Sequence, residues 1–480
     1  MKQLLLTLCL VSQIAFGQDT TTSNFAATHS IDSVQSPDSI PLYNSHGQLL
    51  KDDPLYNPRY AWWKVSARVL TTNVVNWAIA KYVYKFDWPS SGPKDWKRNF
   101  QRSPVWDEDR FSLNFVGHPH TGNFYFNTAR ANGYSFWGSL PFALQGSLTW
   151  EWLGEKDPPS WNDLINTPVS GAFLGEVAYR ISSNILDDSK RGGARVFREI
   201  VAGIINPPRA FNRLTQGKMF RVVHKEVYQK EPLAIQLSAG VHKVNNVTGK
   251  ANQFATGDNN AMLNLQLDYG DPYEIRSRKP FDVFRLRVEL SYGADSNLLD
   301  NVTGYGLLAG KTVRLNRTLF GLFQHFDYWR NNNVFELGAL AFGPGLLGRY
   351  PLGPKSNLNS VIHLAAVPLA GNSTQFGPQQ TELRDYNFGG GALAKLEEYL
   401  SFNNRLHVGF TSYAYFVHTY KGIKGNSFTG IIKPTVALRI VNNMHIGFEH
   451  HIYYNHRNLD GAGDLSLSNT EQKLYLQWRL

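Results

Sequence analysis

The chain has 480 residues, of which 18% are charged and 13% aromatic, and its formal net charge is +10. The mean hydropathy is slightly negative and the only cysteine is Cys9, which excludes disulfides and thiol chemistry from the rest of the sequence. Basic residues are scattered rather than clustered with aromatic residues, which argues against nucleic-acid binding and favours attraction to anionic lipids or solutes.

Residues 1–17 have the three parts of a secretory signal peptide. Lys2 supplies the positive charge, a short apolar core follows, and residues 15–17 form a small-x-small cleavage site, so the mature chain is predicted to begin at Gln18. The apolar core is too short to act as a membrane anchor. Residues 18–57 are rich in Ser, Thr, Asp, Asn and Gln, which predicts a disordered periplasmic leader.

Helical periodicity begins after this leader. Apolar residues recur at helical spacing in residues 58–88, which predicts an amphipathic helix that lies on the inner leaflet or packs on the next segment. Stripes of small residues favour two further helices in residues 135–152 and 169–186, because small side chains let helix backbones approach closely. A shorter helix is predicted for residues 194–205. Together these segments predict an N-terminal helical domain over residues 58–217.

The middle of this domain carries two specific runs of residues. Residues 118–133 read HPHTGNFYFNTARANG, and residues 150–176 read WEWLGEKDPPSWNDLINTPVSGAFLGE. They resemble the bacterial envelope family called domain of unknown function 3943, and the resemblance covers about residues 60–217. It implies a bacterial outer-membrane-associated protein and implies no particular activity. Just before the first run, we predict a short extended piece at residues 110–116 and a turn that starts at His118.

From about Met219 to the end of the chain, apolar and polar residues alternate with period two. In residues 284–292 the even positions are apolar and the odd positions are Arg, Glu or Ser, which is typical of a strand between lipid and a polar lumen. About twelve such segments, each roughly 10–15 residues long, are separated by turns rich in Asn, Asp and Gly. We therefore predict an α+β membrane protein, in which the N-terminal helical domain precedes an antiparallel transmembrane β-barrel of about 12 strands over residues 218–480.

A barrel of this size encloses a narrow lumen. The helical domain is therefore predicted to cover or partly plug the periplasmic mouth, with one helix inserted. The expected location is the cell outer membrane, with the N-terminal domain on the periplasmic side. The predicted partners are outer-membrane lipids and lipopolysaccharide, together with an envelope protein that docks through residues 18–110, and no nucleic acid is expected.

Eight side chains are candidates for chemistry: His118, His120, Glu151, Glu155, Asp163 and Glu176 in the helical domain, and His325 and Asp327 in the barrel. The first two histidines could bind a metal with a carboxylate, but their spacing matches no metal motif, so hydrogen bonding is favoured and no metal or cofactor is predicted. Glu151 and Glu155 share a helix face, and packed carboxylates suit acid–base chemistry. Alternatively, the three glutamates pair with Arg130, Arg180 or Arg198 inside a polar bundle.

Two further sets of residues have competing interpretations. Ser160 and Asp163 fit a helix cap, or Ser160 is a nucleophile with one of the two motif histidines as its base, although no G-x-S-x-G elbow is present. His325 and Asp327 fit a hydrogen-bond network in the lumen, or a lipid-hydrolase site on the barrel wall. The sequence leaves catalysis undecided and favours a channel, assembly or structural role. The alternatives are a barrel hydrolase that modifies lipid or lipopolysaccharide, and a docking partner of an envelope assembly machine.

Overall fold

The structure is a computed structural model that describes residues 43–245, 254–293, 298–313, 317–331, 334–373, 386–461 and 463–480. The predicted signal peptide and the leader before residue 43 lie outside these ranges. Within them, no helix combines the length and the apolar character that crossing a membrane requires.

Seven α-helices occupy the N-terminal part of the described ranges. They are α1 (Trp62–Ala78), α2 (Pro93–Gln101), α3 (His118–Arg130), α4 (Phe136–Leu153), α5 (Trp161–Ile185), α6 (Gly192–Ile205) and α7 (Pro207–Thr215). The helices predicted for residues 58–88, 135–152, 169–186 and 194–205 are therefore confirmed, although α5 begins earlier than its pattern indicated. A π-helical turn, Ile79–Val83, extends α1.

The stretch that leads into α3 differs from the prediction. Residues 110–116, expected to be extended, wind into helix and continue as a π-helical turn, Leu113–Gly117, that joins α3 at His118. The predicted turn at His118 is also wrong, because the helix continues through His118 and Pro119. Pro119 has no amide proton, and the carbonyl oxygen of Asn114 accepts a 2.5 Å hydrogen bond from the Asn166 side chain instead. The helical conformation buries Phe115 against the barrel.

Twelve antiparallel strands form a closed barrel in which each strand pairs with the next and β12 pairs with β1. They are β1 (Leu233–Val244), β2 (Asn259–Tyr269), β3 (Phe284–Tyr292), β4 (Leu299–Val313), β5 (Thr318–Asn331), β6 (Phe335–Gly353), β7 (Ser356–Ser373), β8 (Tyr386–Phe402), β9 (Leu406–Lys421), β10 (Gly425–Val441), β11 (Met444–Leu459) and β12 (Gly463–Arg479). The predicted fold class is confirmed. The first strand begins after residue 218 because the connecting residues pack on the helices, where Tyr228 is buried with Leu186 and Ala202.

Ion pairs between strands that are not neighbours identify the lumen side of the wall. Lys395 on β8 lies 2.6 Å from Asp327 on β5, and Arg287 on β3 lies 2.8 Å from Glu397 on β8. These side chains meet across the barrel interior. Because strand side chains alternate, Phe326, next to Asp327, faces outwards.

The helical domain packs against the outward face of the barrel wall. The rings of Phe173 on α5 and Phe326 on β5 stack with centroids 5.9 Å apart. Gln324, also on the outward side of β5, donates a hydrogen bond of 2.9 Å to the carbonyl oxygen of Val169 on α5. The prediction that this domain covers or plugs the mouth, with one helix in the lumen, is therefore wrong. Paired charged side chains of the strands occupy part of the lumen, whereas the outward aromatic side chains offer an apolar surface for the helices.

This contact forms a band across the outward faces of β2 to β8. One apolar core joins Phe126 and Phe173 of the helices to Tyr269, Phe284 and Phe326 of the strands. A second core contains Phe111, Phe115, Tyr328, Leu369, Tyr386 and Phe388. The helices thus cover one side of the barrel and leave the outward face of β9 to β12 uncovered.

Glycines bring the helices of this domain into close contact. α3 and α5 run parallel, and a methyl group on Gly122 would overlap the carbonyl oxygen of Thr167, while one on Gly171 would overlap the backbone of Gly122. On α4, a methyl group on Gly146 would overlap the ring of Tyr125. The predicted stripes of small residues therefore act at helix–helix contacts.

Residues 43–57 differ from the predicted disordered leader. Leu50 is buried, and the Asp52 carboxylate accepts a 2.7 Å hydrogen bond from the backbone amide of Gln229 and another from the Tyr179 hydroxyl. Gln229 lies just before β1, so this segment is fixed at the barrel end where β1 begins.

Candidate functional site

A polar cluster, buried at its centre and exposed at Asp109, forms where the end of α4, the start of α5 and the segment before α3 meet. The His118 cluster, as we call it, consists of Asp107, Asp109, His118, Glu151, Ser160 and Asp163. A parallel β-bridge between Val105 and Ser160 brings the segment before α3 to the start of α5. The hydroxyl of Tyr386, the first residue of β8, donates a 2.7 Å hydrogen bond to the carbonyl oxygen of Asp109. The cluster therefore lies at the barrel end opposite to residues 43–57.

Ser160 lies between two carboxyl groups. Its backbone amide donates to Glu151 Oε2 at 2.7 Å, its hydroxyl oxygen is 3.2 Å from the same atom, and the hydroxyl is also hydrogen-bonded to Asp163. A hydroxyl has one proton, so both side-chain contacts are satisfied only when one of the carboxyl groups is protonated. Ser160 occupies the cap position of α5, but its hydroxyl caps no backbone amide, so the predicted capping contact is not formed.

His118 points into this group of acids. Its Nε2 lies 3.5 Å from Asp163 Oδ1 and 3.7 Å from Asp109 Oδ2. Burial alone would lower the pKa of His118, but the nearby carboxylates of Asp109 and Asp107 outweigh burial and raise the pKa to about 9. His118 is therefore a cation at neutral pH, which suits anion binding or proton donation. It is unsuited, in this state, to act as the base for a Ser160 nucleophile.

Amide side chains fix the position of Asp107. Asn114 donates to Asp107 Oδ1 at 2.8 Å, and Asn162 donates to Oδ2 at 2.7 Å. Burial alone would raise the pKa of Asp107, but hydrogen bonds from Asp163 and Asn162 and the charge of His118 hold the pKa below its usual value. Asp107 is therefore the ionised member that faces the imidazolium.

Glu155 lies beside the cluster. Its Oε1 accepts a 2.6 Å hydrogen bond from the Trp150 indole. Burial raises the pKa of Glu155 to about 7, although the nearby charge of His118 acts in the opposite direction. Glu155 therefore changes its charge close to physiological pH.

Three residues of the His118 cluster have ligand atoms spaced closely enough to hold a cation. One ligand atom from each of Asp107, Asp109 and His118 lies within 4.8 Å of the other two. Two carboxylates and one imidazole suit a divalent transition metal, provided that the imidazole first loses its proton. The sequence predicted no metal here, and Asp107 and Asp109 were absent from the predicted site. The signal that could have found them is the Asp-Glu-Asp run shortly before the motif histidines.

Glu176 and His120 do not join the cluster. Glu176 accepts 2.7 Å hydrogen bonds from Arg130 and from Arg180, so the predicted pairing with arginine is confirmed for this glutamate. The same prediction is wrong for Glu151, which contacts Ser160. His120, two residues after His118, packs against Phe124 with ring centroids 4.7 Å apart and faces away from the acids.

The two candidates in the barrel, His325 and Asp327, also make separate contacts. Asp327 accepts a 2.6 Å hydrogen bond from Lys395, as expected for a lumen network. His325 packs against His363 with ring centroids 4.7 Å apart, and neither of its nitrogens has a hydrogen-bond partner among the described residues. The two residues therefore do not form a paired catalytic unit.

Comparisons with known proteins match both parts of the chain. The family described as "Domain of unknown function (DUF3943)" matches residues 103–208, which confirms the resemblance over a shorter range than the 60–217 expected. No protein with a curated description matches the chain.

Several solved structures of outer-membrane porins and channels are similar to the barrel. The NanC porin is 9% identical, the match covers 52% of this chain and 100% of that one, and the TM-score is 0.26. The toluene transporter TodX of Pseudomonas putida is 9% identical, with coverages of 52% and 89% and a TM-score of 0.22. An anion-selective porin from Comamonas acidovorans is 11% identical, with coverages of 52% and 99% and a TM-score of 0.19. These likenesses are too weak to carry an argument about function.

Proposed function

We propose that the protein is a non-conducting outer-membrane β-barrel whose functional site lies in the helical domain on the outside of its wall. The observation that carries this proposal is the position of the His118 cluster outside a barrel whose lumen is crossed by its own ion pairs. A protein built for passive diffusion would keep a water-filled path along the lumen.

The occlusion of the lumen rests on contacts from one wall to another. Glu397 on β8 binds Arg287 on β3 at 2.8 Å, and Lys473 on β12 binds Glu289, also on β3. These charged side chains are buried, so separating them would leave unpaired charges, which costs about 3–5 kcal/mol for each broken pair. A cavity of about 470 Å³ remains, and its lining includes Arg479 and Lys433.

The lengths of the strand connections support an orientation. At the end where β1 begins, the turns 354–355, 403–405 and 442–443 have two or three residues, and one connection, 270–283, is long. At the other end two connections, 245–258 and 374–385, are long. Outer-membrane barrels have short periplasmic turns and longer extracellular loops. On this basis the His118 cluster faces the outer leaflet, and the N-terminal domain extends along the wall instead of lying beneath the mouth.

Planar-bilayer recording of the purified full-length protein tests this proposal. We expect no steady conductance from wild type, with an open porin as the positive control for insertion. The variant Lys395→Ala/Glu397→Ala, which removes two of the charges from the lumen, should conduct more than wild type. A steady porin-like current from wild type would overturn the proposal.

A second candidate function is hydrolysis of an ester or phosphoester bond in a lipid or lipopolysaccharide headgroup. The specific observation is that a cationic His118, a protonated carboxyl group and an ionised carboxylate lie together at one edge of the wall. The cation would bind the anionic headgroup, while the two carboxyl groups would donate and accept protons.

Lipid profiles of a deletion strain test the hydrolase directly. Wild type should restore the profile, and His118→Gln should fail to restore it. His120→Gln is the matched control, because His120 lies in the same motif and faces away from the cluster. Restoration by both variants would contradict the hydrolase function without affecting the closed-barrel proposal.

A further inference from the structure

We propose that the exposed surfaces of α4 and α6 contact the acyl chains of the bilayer, so that the membrane-embedded body consists of the barrel and the helical domain together. The inference rests on the proposed function in one respect, namely that the barrel spans a membrane. It goes further because it assigns a lipid-contacting surface to helices that do not combine the length and apolar character of a membrane span.

The exposed face of α4 is apolar along its whole length. Trp137 and Leu144 are 54% and 43% exposed, and Pro141 and Leu148 lie on the same face at helical spacing. The only charged residue of this helix, Glu151, is buried in the His118 cluster. In water this face would leave a continuous apolar strip uncovered, whereas in a bilayer it meets lipid.

The exposed face of α6 has the same character. Phe197 and Ile204 are 68% and 67% exposed. Val196, which precedes Phe197, and Ile200, which lies between the two, are exposed as well. The charged residues Arg195 and Glu199 occupy the opposite face, where they pair with each other at 2.8 Å. The helix therefore turns its charges towards the protein and its large apolar side chains outwards.

The interior of the domain is correspondingly polar. Glu176 and Arg180 on α5 are buried, where Arg180 also binds Asp282 of the β2–β3 connection at 3.0 Å. The Asn127 amide, likewise buried, donates to the carbonyl oxygen of Gly175 at 2.9 Å. Paired charges inside and apolar side chains outside are the arrangement expected for protein that is surrounded by lipid.

The position of the helices on the barrel agrees with this arrangement. The domain covers the outward faces of β2 to β8. On β9 the outward side of the wall is uncovered, and Phe416 there is 45% exposed. α5 runs along the wall from the cluster end to the end where β1 begins, where Asn184 donates to the carbonyl oxygen of Glu231 at 2.8 Å. Its 25 residues correspond to a length of about 37 Å, comparable with a hydrocarbon core of about 30 Å. The apolar faces of the helices are therefore continuous with the outward face of the barrel.

Nitroxide spin labels in proteoliposomes test the inference, because the mature sequence contains no cysteine other than those introduced. Single variants Leu144→Cys and Phe197→Cys should place the label in lipid, with high accessibility to oxygen and low accessibility to a water-soluble nickel chelate. Asp157→Cys, in the polar loop after α4, should show the opposite preference. Phe416→Cys on the uncovered barrel wall is the reference for lipid contact.

The outcomes separate the two proposals. If Phe416→Cys reports lipid while Leu144→Cys and Phe197→Cys report water, or are shielded from both reagents by a protein partner, the inference is overturned and the barrel proposal stands. If Phe416→Cys also reports water, the proposal that the barrel spans a membrane fails. Lipid-like accessibility at all three positions supports the inference.

Discussion

The charge on His118 should link the stability of the helical domain to pH. The pKa of His118 is raised from 6.5 to about 9 because Asp109 and Asp107 stabilise its charged form more than burial destabilises it. A group whose pKa is raised on folding contributes stability that is fully present below its unfolded pKa and is lost as pH rises through the folded pKa. A shift from 6.5 to about 9 corresponds to about 3 kcal/mol, since each pH unit is worth about 1.4 kcal/mol. The loss should therefore occur between about pH 6.5 and pH 9.

Hydrogen exchange of backbone amides at the starts of α3 and α5 measures this contribution locally, without requiring the whole barrel to unfold. After correction for the intrinsic pH dependence of exchange, protection in wild type should fall by about two orders of magnitude across the window, which is about 3 kcal/mol. His118→Gln should show a flat profile and His120→Gln a profile like wild type. An unchanged pH dependence in His118→Gln would refute the assignment of this linkage to His118.

Three further outcomes follow from the packing and charge of the domain. Burial raises the pKa of Glu155 to about 7, so its protonated form favours the folded state. The stability of the domain should therefore fall as the pH rises from about 4.5 to 7. Glu155→Gln should remove that fall in the same exchange experiment. Gly122→Val should lower the unfolding temperature of the helical domain, measured by circular dichroism, because a side chain there overlaps the Thr167 backbone; an equal temperature would contradict the close contact. Arg180→Met should destabilise the domain by about 3–5 kcal/mol in denaturant titrations, because Glu176 and Asp282 lose a buried partner, whereas Lys190→Met at the surface should have little effect.

The barrel could be predicted from the sequence because period-two alternation directly reflects two environments on the two faces of each strand. The side of the wall on which the helices lie could not be predicted in this way. Phe326, which is covered by α5, and Phe416, which is uncovered, are both large apolar residues on an outward face. An outward position that contacts lipid and one that contacts an apolar helix both require an apolar side chain. The alternation of apolar and polar residues therefore does not show which of the two a strand contacts.

The sequence predicted the kinds of residue in the candidate site, but it did not predict fully which residues come together there. The prediction that Glu151 and Glu155 share a helix face is wrong, because α4 ends at Leu153 and Glu155 lies beyond it. The pairing of Glu176 with two arginines, and of Glu151 with Ser160, depends on how three helices rotate against one another. Asp109 was missed because the helical turn that follows it, in which Phe115 packs on the barrel, was predicted to be extended. Such a turn has no local sequence signal of its own.

The hydrogen bond between Asn114 and Tyr386 has a consequence for the order of folding, because it joins residues 272 positions apart in the sequence. The N-terminal domain is synthesised first, yet the wall on which it rests is incomplete until β8 has formed. Contacts of such long range are slow to form, and the apolar residues that make them are exposed until they do. We therefore expect docking of the helices to be a late step of maturation, and a chain that stops before β8 would leave Phe111 and Phe115 without Tyr386 and Phe388.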